Sequence, residues 1–353
     1  KFRVVSSELL DPLILFLALN CPLVQRQIRN MQFTADIIDT LGSRYREIIL
    51  PIPKDITFRK ELSEKMKQAL DTRIRYKAAI KQMPLLIESV LESGTTQAFD
   101  TFFSKPIDEV LNELVQDTTT LEFGFFSAFR LNSSAITNGI YLPKYYDPAV
   151  ENILRKLDGT CTRYSIQSLL NDKVIELATG DEIGKMAYGT GSIPFVRTSD
   201  FSNWEIKADA KQGVSEEIYE QYALKEDVRP GDILIVRDGT YLVGTSCLIT
   251  EYDQKMLYCG GLIKIRVLKK DILDEYLLLG LLNSYIVKRQ IRTKQFTRDV
   301  IDTLGQRLRE VTLPLPHSVE LRHSISVQIR HIIENRIEAR DCVSNLSRQL
   351  IEL

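Results

Sequence analysis

The sequence has little of what most catalytic and secreted proteins use. Its 353 residues include three histidines, one tryptophan and five cysteines. The cysteines are scattered without a Cys-x-x-Cys pair, which is typical of a reducing compartment and predicts a cytoplasmic protein without a disulfide framework. The longest apolar run, at 13–19, has seven residues, far fewer than the roughly 20 that a membrane-spanning helix needs. We therefore expect no membrane association.

Motifs that bind cofactors or perform catalysis are also missing. Neither Gly-x-Gly-x-x-Gly nor Gly-x-x-x-x-Gly-Lys-Ser/Thr occurs, so no dinucleotide or triphosphate site is predicted. The Asn/Asp-Pro-Pro-Tyr/Phe tetrad of adenine methyltransferases is absent too. His323 and His331 are eight residues apart, whereas a helical metal pair needs a spacing of four. We expect no cofactor, no metal site and no catalysis by this chain.

One segment leaves a catalytic alternative open. Asp200 is followed by Glu205 and Lys207, and two carboxylates with a lysine are groups that can bind Mg²⁺ and orient a water, as many nucleases do. The four residues between the two acids are few for the hairpin that such a site needs. A polar recognition loop explains the same residues, and we prefer that interpretation.

The most informative feature that is present is an internal repeat. Fifteen of the 23 residues at 20–42 recur 263 positions later, at 283–305. The match continues without a gap to 51–53 and 314–316, and it extends back to 1–4 and 264–267. Residues 97–263 precede the second copy, and nothing in this sequence corresponds to them before the first copy. We therefore expect the chain to be a fragment that lacks a first domain of the same kind.

A long helix is predicted after each Pro-x-Pro. Apolar residues recur mostly every three or four positions in charged segments, which is typical of helix-on-helix packing. Segments 55–83 and 318–350 are predicted to pack as an antiparallel pair, with an ordinary helical hairpin as the alternative. Pro84 should kink or end the first helix because proline removes a backbone hydrogen bond. The residues predicted to face each other are Leu62, Met66, Leu70 and Ile74 on the first helix and Ile325, Ile329, Ile333 and Ile337 on the second.

The segment between the helices is predicted to mix strands and helices. Short runs rich in Val, Ile, Tyr and Gly, separated by turn signals, predict strands within 184–196, 231–249 and 257–268. Residues 271–293 predict one helix, and residues 123–144 predict strand and loop. The expected fold class is α+β, with a globular mixed domain built on a curved sheet and two long, antiparallel, coiled-coil-like helices.

Basic residues are concentrated around the second copy of the repeat. Residues 264–298 carry nine Lys or Arg against three acids, in a chain whose net charge is −1. Such a local excess is typical of a phosphate-binding surface, although a solvated helix face remains the alternative. The residues predicted to bind DNA phosphates are Lys288, Arg289, Arg292, Lys294 and Arg298.

Two loops carry side chains suited to reading base edges, beside glycines that let a backbone approach closely. Trp204 lies in one of these loops, and a role as a core anchor is equally open for it. The loop residues predicted to contact DNA are Lys185, Tyr188, Arg197, Ser199, Asn203, Trp204, Lys207, Arg237 and Tyr241.

The order of these features resembles the specificity subunit of type I restriction-modification systems, over nearly the whole chain. Residues 191–201 resemble the strand and loop near the middle of that family's target-recognition domain. Residues 230–234, followed by Arg237-Asp238-Gly239, resemble its Pro-Gly-Asp-Ile-Leu segment, and residues 313–316 resemble the domain exit. The start of the helix lacks the family's usual Pro-Leu-x-Glu-Gln run.

The resemblance implies a non-catalytic subunit that reads duplex DNA. Its helices would fix the distance between two half-sites and dock adenine methyltransferase (modification) subunits, with a restriction/translocase subunit as a further partner. The implied domains are a remnant of a first target-recognition domain (1–53), a spacer helix (54–96), a target-recognition domain (97–316) and a second spacer helix (317–353).

Two other classes of protein stay open. The sequence is also similar to the recognition region of fused restriction–methyltransferase proteins, whose catalytic part would lie outside this chain. A structural adaptor whose helices bind only protein is the third class.

Overall fold

The computed structural model describes the chain at residues 4–5, 10–35, 38–116, 129–137, 139–202, 204–207, 212–239, 241–253, 255–298 and 301–351, without the side chains at 33–35, 38–39, 112–116 and 298. Two compact units divide the chain. The first contains 1–78, 107–112 and 332–353, and the second contains 79–106 and 113–331.

Helices dominate the described residues. They are α1 (Pro12–Asn20), α2 (Pro22–Met31), α3 (Ile56–Ser93), α4 (Gln97–Phe103), α5 (Ile107–Gln116), α6 (Pro148–Leu157), α7 (Ile166–Asn171), α8 (Glu216–Glu226), α9 (Glu275–Leu282), α10 (Tyr285–Lys294) and α11 (Val319–Gln349). No described helix is both long and apolar enough to cross a membrane.

The strands are short. They are β1 (Phe33–Ala35), β2 (Ile38–Thr40), β3 (Cys161–Ser165), β4 (Ile175–Thr179), β5 (Ile193–Val196), β6 (Phe201–Ser202), β7 (Glu205–Ile206), β8 (Gly213–Val214), β9 (Ile233–Val236), β10 (Asp238–Gly239), β11 (Ser246–Leu248), β12 (Leu257–Tyr258), β13 (Leu262–Val267), β14 (Phe296–Arg298), β15 (Ile301–Thr303) and β16 (Thr312–Pro316).

The strands of the second unit form several small sheets. An antiparallel sheet has the order β11-β9-β13-β4, and β5 pairs with β12 in parallel and with β8 antiparallel. Strand β9 is buried along its whole length, which explains its continuous Ile-Leu-Ile-Val sequence. Helices and mostly antiparallel strands in separate segments give an α+β fold, as predicted.

The internal repeat is a structural repeat. Helices α9, α10 and α11 and strands β14 and β15 each begin 263 residues after α1, α2, α3, β1 and β2. The two hairpins also have the same register, since Phe33 pairs with Thr40 and Phe296 pairs with Thr303. The first copy, up to residue 78, lies in the first unit, and the second copy, up to residue 331, lies in the second unit.

An aspartate joins the first helix of each copy to the long helix. Asp11 accepts hydrogen bonds from the Leu13 amide (2.6 Å) and the Ser63 hydroxyl (2.9 Å). In the second copy Asp274 accepts from the Leu277 amide (2.7 Å) and from the Ser326 hydroxyl (2.6 Å). One carboxylate therefore caps a short helix and ties it to the long helix.

The pairing of the long helices differs from the predicted pairing. Leu62 and Met66 lie in one core cluster with Leu346 and Leu350, not with Ile325 and Ile329. The predicted partners are repeat equivalents of one another. Residues that are equivalent in the repeat therefore correspond in sequence without contacting each other.

The second unit repeats this arrangement with the roles of the helices exchanged. Ile87 of α3 and Ile329 of α11 both lie within 3.4 Å of the position that a Cβ of Gly280 would occupy. Late residues of α3 therefore accompany early residues of α11, which is the order of an antiparallel pair. Of the other predicted packing residues, Ile325 and Ile333 are buried, and Leu70, Ile74 and Ile337 are half-buried.

Two predicted helix boundaries are wrong, while the alternative that Pro84 kinks the first helix stays a prediction. Helix α3 does not end at Pro84 but continues to Ser93, because Ile87, Val90 and Leu91 are fully buried and their packing offsets the roughly 3 kcal/mol cost of an internal proline. The single helix predicted at 271–293 is two helices, since the Ser284 hydroxyl caps α10.

The segment predicted as strand and loop at 123–144 is only partly described. Residues 123–128 and 138 lie outside the described residues. The remainder contains short 3-10 turns at 133–135 and 143–146 and no strand.

Candidate nucleic-acid interface

Two loops of the second unit, at 197–200 and 237–239, meet at the turn between β12 and β13. The amides of Arg237 and Asp238 both donate to the carbonyl of Gly261, at 2.8 and 3.2 Å. A Cβ on Gly261 would lie 3.0 Å from the Thr198 side chain, so glycine allows the loop at 197–200 to approach. Loops distant in sequence thus form one surface.

The first of these loops carries Arg197, Ser199 and Lys207. The buried Asp200 carboxylate accepts a hydrogen bond from the Arg197 amide (2.9 Å), and the Asp200 carbonyl accepts from the Lys207 amide (2.8 Å). The Lys207 ammonium donates to the Ser199 carbonyl at 2.5 Å. Asp200 therefore stabilises the turn through these hydrogen bonds. Among the described residues, no cluster of His, Cys, Asp or Glu could hold a metal.

Arg197 has an incomplete set of partners. Its Nε atom is buried, and no hydrogen-bond partner for it exists among the described residues. Buried donors are nearly always paired in folded proteins.

Trp204 in the same hairpin is a core residue. Only 4 % of it is exposed, and its backbone has a positive φ of 66°. The core-anchor interpretation therefore describes Trp204, and its ring is not available to DNA. Asn203 lies outside the described residues.

The second loop carries Arg237 and Tyr241. The Asp238 carboxylate accepts from the Arg237 guanidinium at 2.8 Å and from the Thr303 hydroxyl. Asp238 also pairs with Thr303 as part of a third strand on the second-copy hairpin. Tyr241 is 95 % exposed at the end of this loop. The loop is thus bonded to the repeat, while its end projects into solvent.

The first of the two predicted loops begins with a turn at 185–187. Lys185 is exposed, whereas the ring of Tyr188 stacks on Phe195 with centroids 5.5 Å apart. Met186 is 93 % exposed between them, and sequence reasoning missed it because a lone methionine gives no signal. Tyr188 supports the turn, and Lys185 and Met186 face solvent.

The predicted phosphate-binding residues of α10 have different environments. Arg289 forms an ion pair with Asp147 (2.7 Å), and Lys294 forms one with Glu310 (2.9 Å). Arg292 is exposed, Lys288 is half-buried, and the side chain of Arg298 is not described. Arg292 is therefore the most exposed cation of α10.

Two further cations of the basic segment stabilise the fold. Lys264 is buried and donates to the carbonyl of Asp227 at 2.8 Å. Arg266 binds Asp232 and Asp227 at 2.7 Å. Hydrogen bonds from Arg266, then Arg229, lower the pKa of Asp227 to about 2. The count of basic residues in the sequence overstated the exposed positive charge, because sequence cannot tell a buried cation from an exposed one.

Comparisons with known proteins find similar solved structures only. No protein-family model and no curated protein matches the chain. A type I restriction-modification S subunit from M. genitalium is 13% identical over 97% of this chain and 71% of its own, with a TM-score of 0.38. The HsdS subunit from Thermoanaerobacter tengcongensis is 14% identical over 97% of this chain and 69% of its own, with a TM-score of 0.35. At these values the likeness does not fix the function of this chain.

Proposed function

We propose that the chain is the sequence-specific DNA-recognition subunit of a type I-like restriction-modification system. The observation that carries the proposal is the double attachment of the loop at 237–239. It is bonded to the glycine turn where the recognition loops meet, and it adds a strand to the hairpin of the repeat. A reading surface fixed to a rigid, repeated frame is what a split DNA site requires.

The contacts divide into two kinds. Arg197 and Arg237 are held by their loops beside Gly261, and arginine donors in a fixed position suit the acceptors on guanine. Lys185 and Arg292 are exposed, and exposed cations suit backbone phosphates, which position a protein without reading sequence. Tyr241 and Met186 project from the loops and would contact base or sugar edges.

The long helices would serve a second purpose. Each copy of the repeat presents a short helix pair and a hairpin in the same order along a long helix, and equivalent surfaces bind equivalent partners. We propose that adenine methyltransferase subunits dock along these helices and that the chain itself performs no catalysis. A restriction/translocase subunit would join through the methyltransferases.

Selection from a random duplex library, followed by fluorescence anisotropy on selected and random duplexes, tests DNA recognition. We expect one enriched motif. We also expect Arg237→Ala to reduce the difference in binding free energy between the selected and the random duplex by about 1–3 kcal/mol. Arg155→Ala, which removes a cation that is 68% exposed on α6, is the matched control and should leave the gap unchanged. Failure to bind any duplex would support the protein-only adaptor.

Two outcomes separate the remaining alternatives. Mg²⁺-dependent cleavage of DNA that is lost in Lys207→Ala would establish a nuclease and overturn the non-catalytic proposal. Methyl transfer to the selected duplex after adding modification subunits from the same genome would support docking. An Asn-Pro-Pro-Tyr tetrad encoded upstream in the same reading frame would instead favour the fused restriction–methyltransferase class.

A further inference from the structure

A cavity of about 590 Å³ lies beside α10 in the second unit. This volume falls within the roughly 300–1,000 Å³ typical of sites for small organic ligands. Its apolar and aromatic walls include Pro84, Phe129, Pro143 and Tyr285. Such a lining suits a ligand with a flat, apolar body.

Cations outnumber acids around the cavity. Among the described residues, Lys144, Lys288, Arg289 and Arg292 line it together with a single acid, Asp147. Arg289 already pairs with Asp147 at 2.7 Å. The other three cations make no hydrogen bond or ion pair with any part of the chain that the structure describes. An anion would therefore meet three positive charges that lack counterions.

Lys288 is the least exposed of these three cations. Burial, and secondarily the charge of Arg292, lowers the pKa of Lys288 to about 8. A half-buried ammonium group without a carboxylate is unfavourable, and an anionic ligand would relieve that cost.

The repeat shows that α10 does not need this lysine for its own structure. The equivalent residue in the first copy is Gln25, whose side chain donates to the Leu19 carbonyl at 2.7 Å. The first copy therefore builds the same helix with an uncharged residue. The positive charge of Lys288 is therefore not needed to form the repeated helix, and it lines the cavity instead.

We propose that this cavity binds a small phosphate ester carrying a flat ring, of the size of a mononucleotide. The phosphate would lie at Lys288, Lys144 and Arg292, and the ring would lie against Phe129, Pro143 and Tyr285. The same chemistry occurs in a free nucleotide and in a nucleic acid strand. We assign the free ligand because Lys288 is half-buried, whereas a duplex backbone contacts exposed cations. The assignment does not depend on DNA recognition.

Isothermal titration of the full chain with AMP, adenosine and inorganic phosphate tests this proposal. We expect AMP to bind at least tenfold more tightly than either part alone, because only AMP engages both the cations and the apolar walls. Lys288→Gln, which installs the first-copy residue, should weaken AMP binding about tenfold. Lys67→Gln removes an exposed lysine of α3 in the first unit and should change nothing.

Several outcomes would overturn the proposal. They are the absence of AMP binding at millimolar concentration, AMP binding no tighter than adenosine, and Lys288→Gln binding AMP normally. If AMP does not bind and Lys288→Gln weakens duplex binding, the cavity belongs to the DNA interface instead. Should Lys288→Gln not fold, the exposed Lys144→Gln gives the same test. Duplex binding without AMP binding would leave the DNA function intact, so the two proposals fail separately.

Discussion

The two copies of the repeat share a pair of glutamine hydrogen bonds but have different surroundings. Gln27 bridges the amide and carbonyl of Ile49 (2.9 Å each), and Gln290 bridges those of Thr312 (2.8 Å each). Gln290 is only 3% exposed, whereas the bonds of Gln27 lie at the surface. The local sequence is therefore enough to form this pair of glutamine hydrogen bonds, and burial contributes separately to stability.

The apolar residues of the two copies show the same contrast. Phe16 is 43% and Leu23 45% exposed, whereas their equivalents Leu279 and Ile286 are fully buried. In the second unit α9 contacts β11 and α10 contacts α6. Other elements of the second unit thus cover helices whose equivalents in the first copy are partly exposed.

The largest expected effect on stability concerns Leu17, whose equivalent in the second copy is Gly280. Leu17 is fully buried with Leu62 and Met66, so Leu17→Ala should lower the free energy of unfolding by about 2–5 kcal/mol. Phe16→Ala, at a neighbouring and partly exposed position, should cost much less. Urea denaturation followed by circular dichroism measures both, and equal losses would contradict the packing described for α1.

The second prediction uses the two glutamines. Gln290→Ala leaves the amide and carbonyl of Thr312 without the partner that Gln290 provides, in a buried position, and should cost about 2 kcal/mol. Gln27→Ala exposes the same groups of Ile49 to water and should cost less than about 1 kcal/mol. Thermal or urea unfolding of the two variants checks the difference. Equal costs would mean that burial does not distinguish the copies.

The third prediction concerns Glu88, an acid whose equivalent in the second copy of the repeat is the apolar Ile351. Burial raises the pKa of Glu88 to about 7, above its ordinary value near 4.5. The folded state then binds more protons than the unfolded state between these values, so stability falls as the pH rises from about 4.5 to 7. Glu88→Gln should remove this dependence and stabilise the protein by roughly 1–2 kcal/mol at pH 8.

Unfolding measured from pH 4 to pH 8 tests this third prediction. Glu64→Gln, at an exposed position of α3, is the control and should follow the wild-type curve. A Glu88→Gln curve parallel to the wild type would show that Glu88 is not the group responsible.

The smallest effect on stability is expected for two equivalent arginines, Arg29 and Arg292. Both are exposed, so neither substitution by alanine should change stability by more than about 0.5 kcal/mol. Arg292→Ala should weaken binding to all duplexes alike and reduce the slope of log affinity against log salt by roughly 0.9. Arg29→Ala should leave the slope unchanged. Anisotropy over a salt series measures the slopes, and relaxed specificity in Arg292→Ala would contradict its assignment to phosphate.

Much of the frame could be predicted from the sequence because the repeat is long and has no gaps. The spacing of apolar residues predicts the two long helices and the α+β class. Proline and glycine predict the turn around Pro230-Gly231. The packing partners of Leu62 could not be predicted from the sequence, because a repeat shows which residues correspond and not which residues are in contact. Similarly, the charge of Lys264 and the ring of Trp204 looked like binding features, since burial depends on segments distant in the chain.

Pro84 distinguishes the dynamics of the two long helices. It removes one backbone hydrogen bond from α3, while the equivalent position in α11 is Ser347, and α11 contains no proline. Amide hydrogen exchange reports local opening, and we expect the turn around Ile80–Pro84, which lacks one backbone hydrogen bond, to be the weakest point of α3. We expect the amides next to Pro84 to exchange faster than those near Ser347 with comparable burial. Helix α3 can then open in two segments, whereas α11 opens as one.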